Sequence, residues 1–569
     1  MIRTRCSAAL AALLAGGLMI SPVYAQDQTT TQPQAHTYQL LPRVGITGEM
    51  RITLEDAIRL AVSNNKDIDA SKIDREEADY TVLGARGAFD PIVGANSLWQ
   101  QQIQPVASSL GGSTTGDVIN RTWQTDPSVS QALPWLGGSY KIDLDLQKVF
   151  TNNSFVTLNP QYPTALNFQF TQPLLRGMRY DANRHALDVA KKNRSLTDQQ
   201  FRESVIQVVS HTNQAYWELA YAYNNLEVEV EAVNIALGQD ESNRRQEQQG
   251  LLAPIDIVAA QTQLANFELD AQAGQVALTQ AENSLKLLIL PDRDSTLWSD
   301  ALVPATAPDL SPPHLPLPTA VDEALANRPE ILQAKISAQI NKDDITYYRS
   351  QTKPEVDLVV NYDRAGLSGL QVPQAGGNPL TSSFGPLLDR INLLSADAGL
   401  SPIDLSLGSG GTTQFLVGNL GQSLNNLWRG NFPTTEVQLR VSLPIHNRSA
   451  DANLLRSRAE QQRVRDQTDQ TEQSIEADVR NTMQAMESAD LRLRTARLAQ
   501  NSAEEQYNSE QRQFHAGTST LFLVQTRQSA MIAARSAERR AESDLAEAIS
   551  SFQRATGSLL KEHNINLRP

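Results

Sequence analysis

Hydrophobic positions recur at helical spacing along most of the chain, in stretches almost free of proline and glycine. The longest stretches run from 174 to 249 and from 449 to 516, and shorter ones cover 52–83, 255–290, 319–353 and 518–556. These patterns predict amphipathic helices, and the two long ones predict rods of roughly 100 Å at 1.5 Å per residue. The similar lengths suggest that 255–290 stacks end to end on 319–353, and 518–556 on 52–83.

Other segments alternate apolar and polar residues with the period of a β-strand. In 435–443, Val437, Leu439 and Val441 alternate with polar residues, and 92–100, 165–172 and 355–363 are similar. Four strands are therefore predicted, with long polar loops over 101–164 and 364–434, and 140–149 as an extra strand whose place is open. This alternation suits both the wall of a membrane barrel and a soluble sandwich.

The second half of the chain repeats the first. Between 57–73 and 320–336, six of seventeen positions are identical at a constant offset, and Pro91 falls on Pro354 at that offset. Pro173 corresponds to Pro444, and these four prolines are predicted to mark junctions between strands and helices. We assign 49–303 and 319–560 to two repeats, 304–318 to a proline-rich linker and 561–569 to a C-terminal tail.

Charge and composition narrow the function classes. Residues 1–25 have the layout of a cleaved secretory signal, and 26–48 are predicted to be disordered. Lysine and arginine total 49 against 63 acids, a formal charge of -14, which disfavours a nucleic-acid-binding surface. Cys6 is the only cysteine. Because no nucleotide, redox or metal-binding motif is recognisable, neither an enzyme nor a cofactor is predicted.

Four strands cannot close a barrel, since membrane barrels need at least about eight. Several chains would have to share one barrel. Three chains would supply twelve strands above and twelve helical rods below, although two or four chains are arithmetically allowed. The predicted fold class is mainly α with a membrane β-barrel.

Four short motifs stand near the starts of the repeats and the ends of the strands: Leu54-Glu55-Asp56-Ala57-Ile58, Asn327-Arg328-Pro329-Glu330-Ile331, Phe89-Asp90-Pro91 and Thr171-Gln172-Pro173-Leu174-Leu175-Arg176-Gly177. They resemble motifs of the TolC family of outer-membrane efflux and secretion channels. The resemblance implies a homotrimer in outer-membrane lipid, with a 12-stranded barrel and a 12-helix periplasmic barrel. It also implies docking with a periplasmic adaptor and an inner-membrane pump, and passive conduction of cargo.

The resemblance also assigns roles to the turns between paired helices. Gly250, Leu251, Gly517 and Thr518 would form hairpin tips that contact the adaptor. Family members often carry acidic residues beyond the second tip, but the corresponding positions here are Leu523 and Thr526.

Of the family's acidic residues near the tips, Asp256 after the first tip is retained. The resulting expectation is an entrance narrowed by apolar and hydroxyl groups. The competing hypothesis is a periplasmic coiled-coil structural or adaptor protein without a pore. The sequence leaves open whether the cargo is a drug, a metal or a protein.

Overall fold

The computed structural model describes residues 37–107, 112–113, 116–250, 252–372, 379–403 and 412–567. Its helices are α1 (Leu54–Asn64), α2 (Lys66–Arg86), α3 (Ala182–Gln248), α4 (Pro254–Ile289), α5 (Leu317–Asn327), α6 (Pro329–Gln351), α7 (Pro379–Asp397), α8 (Leu420–Arg429), α9 (Arg448–His515), α10 (Leu521–Thr556) and α11 (Leu559–Glu562). Its strands are β1 (Gly48–Ile52), β2 (Ile92–Pro105), β3 (Asp117–Ala132), β4 (Ser139–Thr151), β5 (Leu158–Pro173), β6 (Asp300–Pro304), β7 (Glu355–Gln371) and β8 (Phe432–Ser442).

The two long helices and their hairpin partners lie close to the predicted positions. Helices α3 and α9 contain 67 and 68 residues, and α4 and α10 contain 36 each. Helix α3 begins at Ala182 rather than Leu174, because the Asp181 side chain accepts a hydrogen bond from the Arg184 backbone N–H and caps the helix there. The long helices therefore each form an antiparallel hairpin with a shorter one.

Each shorter helix predicted near the sheet is divided into two. Asn65 separates α1 from α2, and its side chain accepts a hydrogen bond from the Asp67 backbone N–H at 2.9 Å. Arg328 separates α5 from α6, which begins at Pro329. Asparagine caps a new helix, and proline lacks the N–H that would continue the old one. Both breaks are therefore encoded locally.

The stacking of short helices predicted from their lengths is wrong. The end of α4 lies beside the α1–α2 break, where Asn64 Nδ2 donates to the Ile289 carbonyl oxygen at 2.9 Å. Gly557, after α10, lies against Asn327 at the end of α5. Short helices therefore meet within each half of the chain. The four lengths are too similar to have distinguished the two pairings.

The strand count of four is also wrong. In the described residues, one antiparallel sheet has six strands in the order β2-β3-β4-β5-β7-β8, and β1 pairs with β6 in a separate parallel sheet. The segment interpreted as the loop 101–164 contains β3 and β4, so the extra strand predicted at 140–149 is part of the sheet. Pro127 and Asp126 weaken the strand signal of β3, and ladder pairing on both sides outweighs that local preference.

The segments flanking the repeats are packed where the structure describes them. Tyr38 donates its backbone N–H to Asn234 Oδ1 at 2.8 Å, and Arg43 pairs with Glu282 at 2.7 Å. The prediction of disorder for 26–48 therefore fails over residues 37–48, whereas 1–36, including the predicted signal, lie outside the described residues. In the C-terminal tail, Ile565 and Leu567 pack against the core.

Buried apolar side chains line the seams between helices. One cluster joins α1, α3, α4 and β6 around Tyr216 and Leu285. A second cluster joins α5, α9 and α10 around Phe552. A third cluster joins the α3–α4 hairpin to the α9–α10 hairpin around Phe267. Within the described parts of the chain, no helix is long and apolar enough to cross a membrane.

Candidate functional site

The six-stranded sheet has two chemically different faces. Ladder pairing places Val93, Val129, Ile142, Phe168, Tyr362 and Thr435 in one row across all six strands. The adjacent row, on the opposite face, contains Gly94, Ser128, Asp143, Asn167, Asp363 and Thr434. Because side chains alternate between the faces of a sheet, these rows place mainly apolar residues on one face and mainly polar residues on the other, across all six strands.

The apolar face is open in the single chain. Val93 is 78% exposed, Trp123 is 59% exposed and Val437 is 66% exposed. Other exposed side chains on this face are Trp99, Ile103, Ile142, Phe150, Phe168, Leu439 and Val441. A continuous exposed apolar surface of this kind marks a binding or membrane surface rather than ordinary protein exterior.

The polar face carries a hydrogen-bonded carboxylate array. Asn167 Nδ2 donates to Asp143 Oδ2 at 2.7 Å, and Lys141 pairs with the same carboxylate at 3.1 Å. Nearby, Gln147 Nε2 donates to Asp145 Oδ2 at 2.7 Å. Such a face is suited to contact with water rather than with an apolar core.

At the loop end of the sheet, α8 covers part of the apolar face. Ser423 and Thr164 share a hydrogen bond of 2.9 Å between their hydroxyls, and Ser368 Oγ donates to the Asn419 carbonyl oxygen at 2.7 Å. A side chain at Gly366 would collide with the Ser423 backbone, so glycine permits the close approach of helix and sheet. On β5 and β7 the open part of the face therefore lies between α8 and the helical rods, whereas Ile103 on β2 and Phe150 on β4 stay exposed at the loop end.

The four prolines predicted as junctions lie at or near strand ends. Pro91 and Pro354 immediately precede β2 and β7, Pro173 ends β5, and Pro444 lies two residues beyond β8. The Leu174 backbone N–H donates to the Val356 carbonyl oxygen at 2.8 Å, which ties the exit from β5 to the start of β7. The chain passes from sheet to rods at these positions.

The two hairpin tips have matching local geometry. Gly250 and Gly517 adopt positive φ angles of 73° and 75°, a conformation that favours glycine and ends the preceding long helix. Thr518 donates its backbone N–H to the Gln513 carbonyl oxygen at 2.9 Å, whereas Leu251 lies outside the described residues. Five residues after each glycine, Ile255 and Phe522 are 70% and 73% exposed. Sequence reasoning overlooked this apolar pair, which the spacing from the glycines could have revealed.

The entrance candidates lie just beyond the tips. Asp256, in the first turn of α4, is half-buried, and Leu523 and Thr526 on α10 are exposed. Thr526 Oγ1 donates to the Phe522 carbonyl oxygen at 2.8 Å. Further along, Gln263 Nε2 donates to Ser529 Oγ at 3.2 Å and joins α4 to α10. The two entrance helices are therefore neighbours within one chain.

A half-buried carboxyl group, that of Glu229 on α3, lies against α4 within the first hairpin. Burial, followed by repulsion from Asp270, raises the pKa of Glu229 to about 7, although a hydrogen bond from Asn225 opposes the shift. A side chain at Gly274 would collide with this carboxyl group. Because Gly274 has no side chain, the carboxyl group of Glu229 has room to lie against it. At neutral pH this carboxyl group is partly protonated.

Comparisons with known proteins identify the fold. Residues 392–558 match the family model described as outer membrane efflux protein. The predicted resemblance to the TolC family is confirmed. None of the curated proteins compared with the chain matches it. In the described residues, no group of three or more potential metal ligands is found.

Solved outer-membrane channels share the TolC-like fold over nearly their whole length. The Campylobacter jejuni CmeC outer membrane channel gives a TM-score of 0.59 at 15% identity, covering 90% of each chain. The open state of the Neisseria gonorrhoeae MtrE outer membrane channel gives 0.54 at 15% identity, covering 95% of this chain and 98% of that one. CusC gives 0.60 at 15% identity, covering 94% and 99%. At these identities the likeness establishes the fold.

The TolC-like family match also supports the predicted localisation, the outer membrane with a periplasmic extension. The matched family model is that of outer membrane efflux proteins, and the solved structures of similar fold are outer-membrane channels.

Proposed function

We propose that this chain is the outer-membrane exit duct of a tripartite efflux or type I secretion system. A homotrimer would conduct substrates passively from an inner-membrane pump and a periplasmic adaptor. The observation that carries the proposal is the six-stranded sheet, with one apolar and one polar face, joined to helical rods roughly 100 Å long. In a closed barrel the apolar face would contact lipid and the polar face would line a water-filled lumen.

Assembly follows from the two outer strands of the sheet. All eleven residues of β8 are exposed, and β2 is the outer strand on the opposite side. In lipid, each unpaired backbone N–H or C=O group at a sheet edge costs roughly several kcal/mol, because no water is present to complete its hydrogen bond. Pairing of β2 in one copy with β8 in the next would satisfy both edges. Three copies would also place twelve rods around the periplasmic part of the duct.

The tips would carry the contact with the adaptor. Ile255 and Phe522 project from equivalent positions after Gly250 and Gly517. Two exposed apolar anchors beside glycine turns suit docking against another helical protein. Thr518 and Leu251 adjoin these turns in the sequence. Pump and adaptor would supply the energy and the choice of cargo.

The proposal is tested by the native mass of protein extracted from the outer membrane, measured by detergent-corrected light scattering. The expected mass is that of three mature chains, accompanied by ion conductance in planar bilayers. A single chain that fractionates with soluble periplasmic proteins would overturn the duct and favour the coiled-coil structural protein.

Leu523 and Thr526 are proposed to line the narrowest ring of the closed entrance, together with Asp256. Replacing Leu523 and Thr526 by aspartate should raise the ratio of cation to anion permeability, because carboxylates in a narrow ring concentrate cations. Reversal potentials in a salt gradient measure this ratio. Ser474→Asp, on an exposed part of α9 far from the tip, is the control and should leave the ratio unchanged. Equal selectivity in all three proteins would remove Leu523 and Thr526 from the entrance.

A further inference from the structure

We infer that β3 and β4 are membrane-embedded strands, so that each chain contributes six strands to the barrel and three copies form an 18-stranded wall. The occupant of the apolar face of β3 and β4 is then lipid acyl chains. This inference rests on the proposed function, and it changes the size of the barrel from the twelve strands that the sequence suggested.

The position of β3 and β4 within the sheet is the first argument. Strand β3 pairs with β2 from Ile92↔Ser130 to Pro105↔Asp117, along the full length of β2. Strand β4 pairs in turn with β5, from Ser139↔Thr171 to Val149↔Gln161. Both strands therefore separate β2 from β5. If β2 and β5 belong to the wall, the two strands between them belong to it as well.

The chemistry of the two faces is the second argument. On β4, Ile142 lies in the apolar row and Asp143 in the polar row. On β3, Val129 lies in the apolar row and Ser128 in the polar row. A hairpin projecting into water would have no need of an apolar face in register with its neighbours. The same face remains apolar from β2 to β8, which is the pattern expected of strands between lipid and lumen.

An aromatic row on the apolar face is the third argument. Trp99 pairs with Trp123, and Trp123 pairs with Lys148. The Lys148 ammonium lies 5.0 Å from the centre of the Phe150 ring and 5.9 Å from that of Tyr162. Aromatic rings together with a long cationic side chain are typical of the boundary between acyl chains and head groups. Strands β3 and β4 supply members of this row.

Strand length is the fourth argument. A tilted strand needs about 9–11 residues to cross the hydrocarbon layer. Strands β3 and β4 contain 16 and 13 residues, against 11 for β8, the shortest of the six. Both are therefore long enough to span the layer.

The number of strands changes the width of the duct. Barrel diameter grows roughly in proportion to strand number, so an eighteen-stranded barrel is roughly half as wide again as a twelve-stranded one. The acidic array of Asp143 and Asp145 would then line the lumen of this wider barrel. The wall would close where β2 of one copy meets β8 of the next.

The test compares adjacent positions on opposite faces of β4. Ile142→Cys and Asp143→Cys are each introduced into a full chain whose only other cysteine, Cys6, has been replaced. Each variant is labelled at its new cysteine with the fluorophore NBD and reconstituted as the native oligomer in phosphatidylcholine vesicles. Nitroxide-bearing lipids should quench the label at 142 strongly and that at 143 weakly. Aqueous iodide should give the reverse order. Quenching by iodide alone, equal at both positions, would overturn the inference.

A reference pair on β8 separates this inference from the proposed function. Val437→Cys and Glu436→Cys occupy opposite faces of a strand that the sequence already assigned to the barrel. Lipid quenching at 437 but not at 142 would disprove the embedded hairpin and leave the duct intact. Absence of lipid quenching at both would disprove the barrel itself. If a β4 variant does not assemble, Val129→Cys and Ser128→Cys on β3 give the same comparison.

Discussion

Glu282→Leu is expected to lower the unfolding temperature of the protein substantially, because it leaves a buried ammonium group without its counter-charge. Lys286 is fully buried, and its Nζ donates to Glu282 Oε1 at 2.7 Å and to the carbonyl oxygens of Trp298 and Asp300 at 3.1 and 2.6 Å. Removing one partner of a buried pair costs about 3–5 kcal/mol. Arg43, which pairs with the other carboxylate oxygen, would also be released.

The measurement is the apparent unfolding temperature in detergent, at fixed protein concentration and scan rate. Glu268→Leu, at a half-exposed position of the same helix, is the matched control and should have a small effect. The double variant Glu282→Leu, Lys286→Met should recover much of the loss, since apolar replacement of a buried ion pair is often tolerated. If Glu282→Leu unfolds at the same temperature as Glu268→Leu, the ion pair between Glu282 and Lys286 does not stabilise the fold.

This pair illustrates a limit of sequence reasoning. Glu282 and Lys286 are four residues apart on a helix, a spacing common among solvated surface pairs. Their burial depends on β6, whose Asp300 carbonyl oxygen accepts a hydrogen bond from Lys286, and on Arg43, which lies in the segment predicted to be disordered. Local patterns predicted that α4 is a helix, but its partners decide which residues are buried.

The helices and turns were predictable because their signals are local. Gly250 and Gly517 end the long helices, and the four prolines lie at or near the strand ends. The sheet was predicted incompletely because its pattern is shared between strands. The alternation of β3 is weak alone and becomes clear only through its register with β2 and β4. The apolar tip residues Ile255 and Phe522 have no periodic signal of their own, and only their equal spacing from Gly250 and Gly517 relates them.

Val437→Arg is expected to impair membrane assembly strongly if the sheet forms the wall of the proposed duct. Val437 is the sixth of the eleven residues of β8, lies on the apolar face and is 66% exposed in the single chain. An arginine facing lipid at the bilayer midplane costs about 2–4 kcal/mol, and the cost would arise in every copy. The substitution should therefore reduce the yield of folded oligomer in the membrane.

The neighbouring position provides the control. Gln438 lies on the polar face between Glu436 and Arg440, so Gln438→Arg would place the same charge in the lumen. The fraction of each variant that refolds into lipid vesicles as heat-stable oligomer measures the difference. We expect Gln438→Arg to resemble the wild type and Val437→Arg to fall well below it. Equal yields would mean that both faces of β8 contact water, because an apolar environment on one side would make the penalty depend on the face.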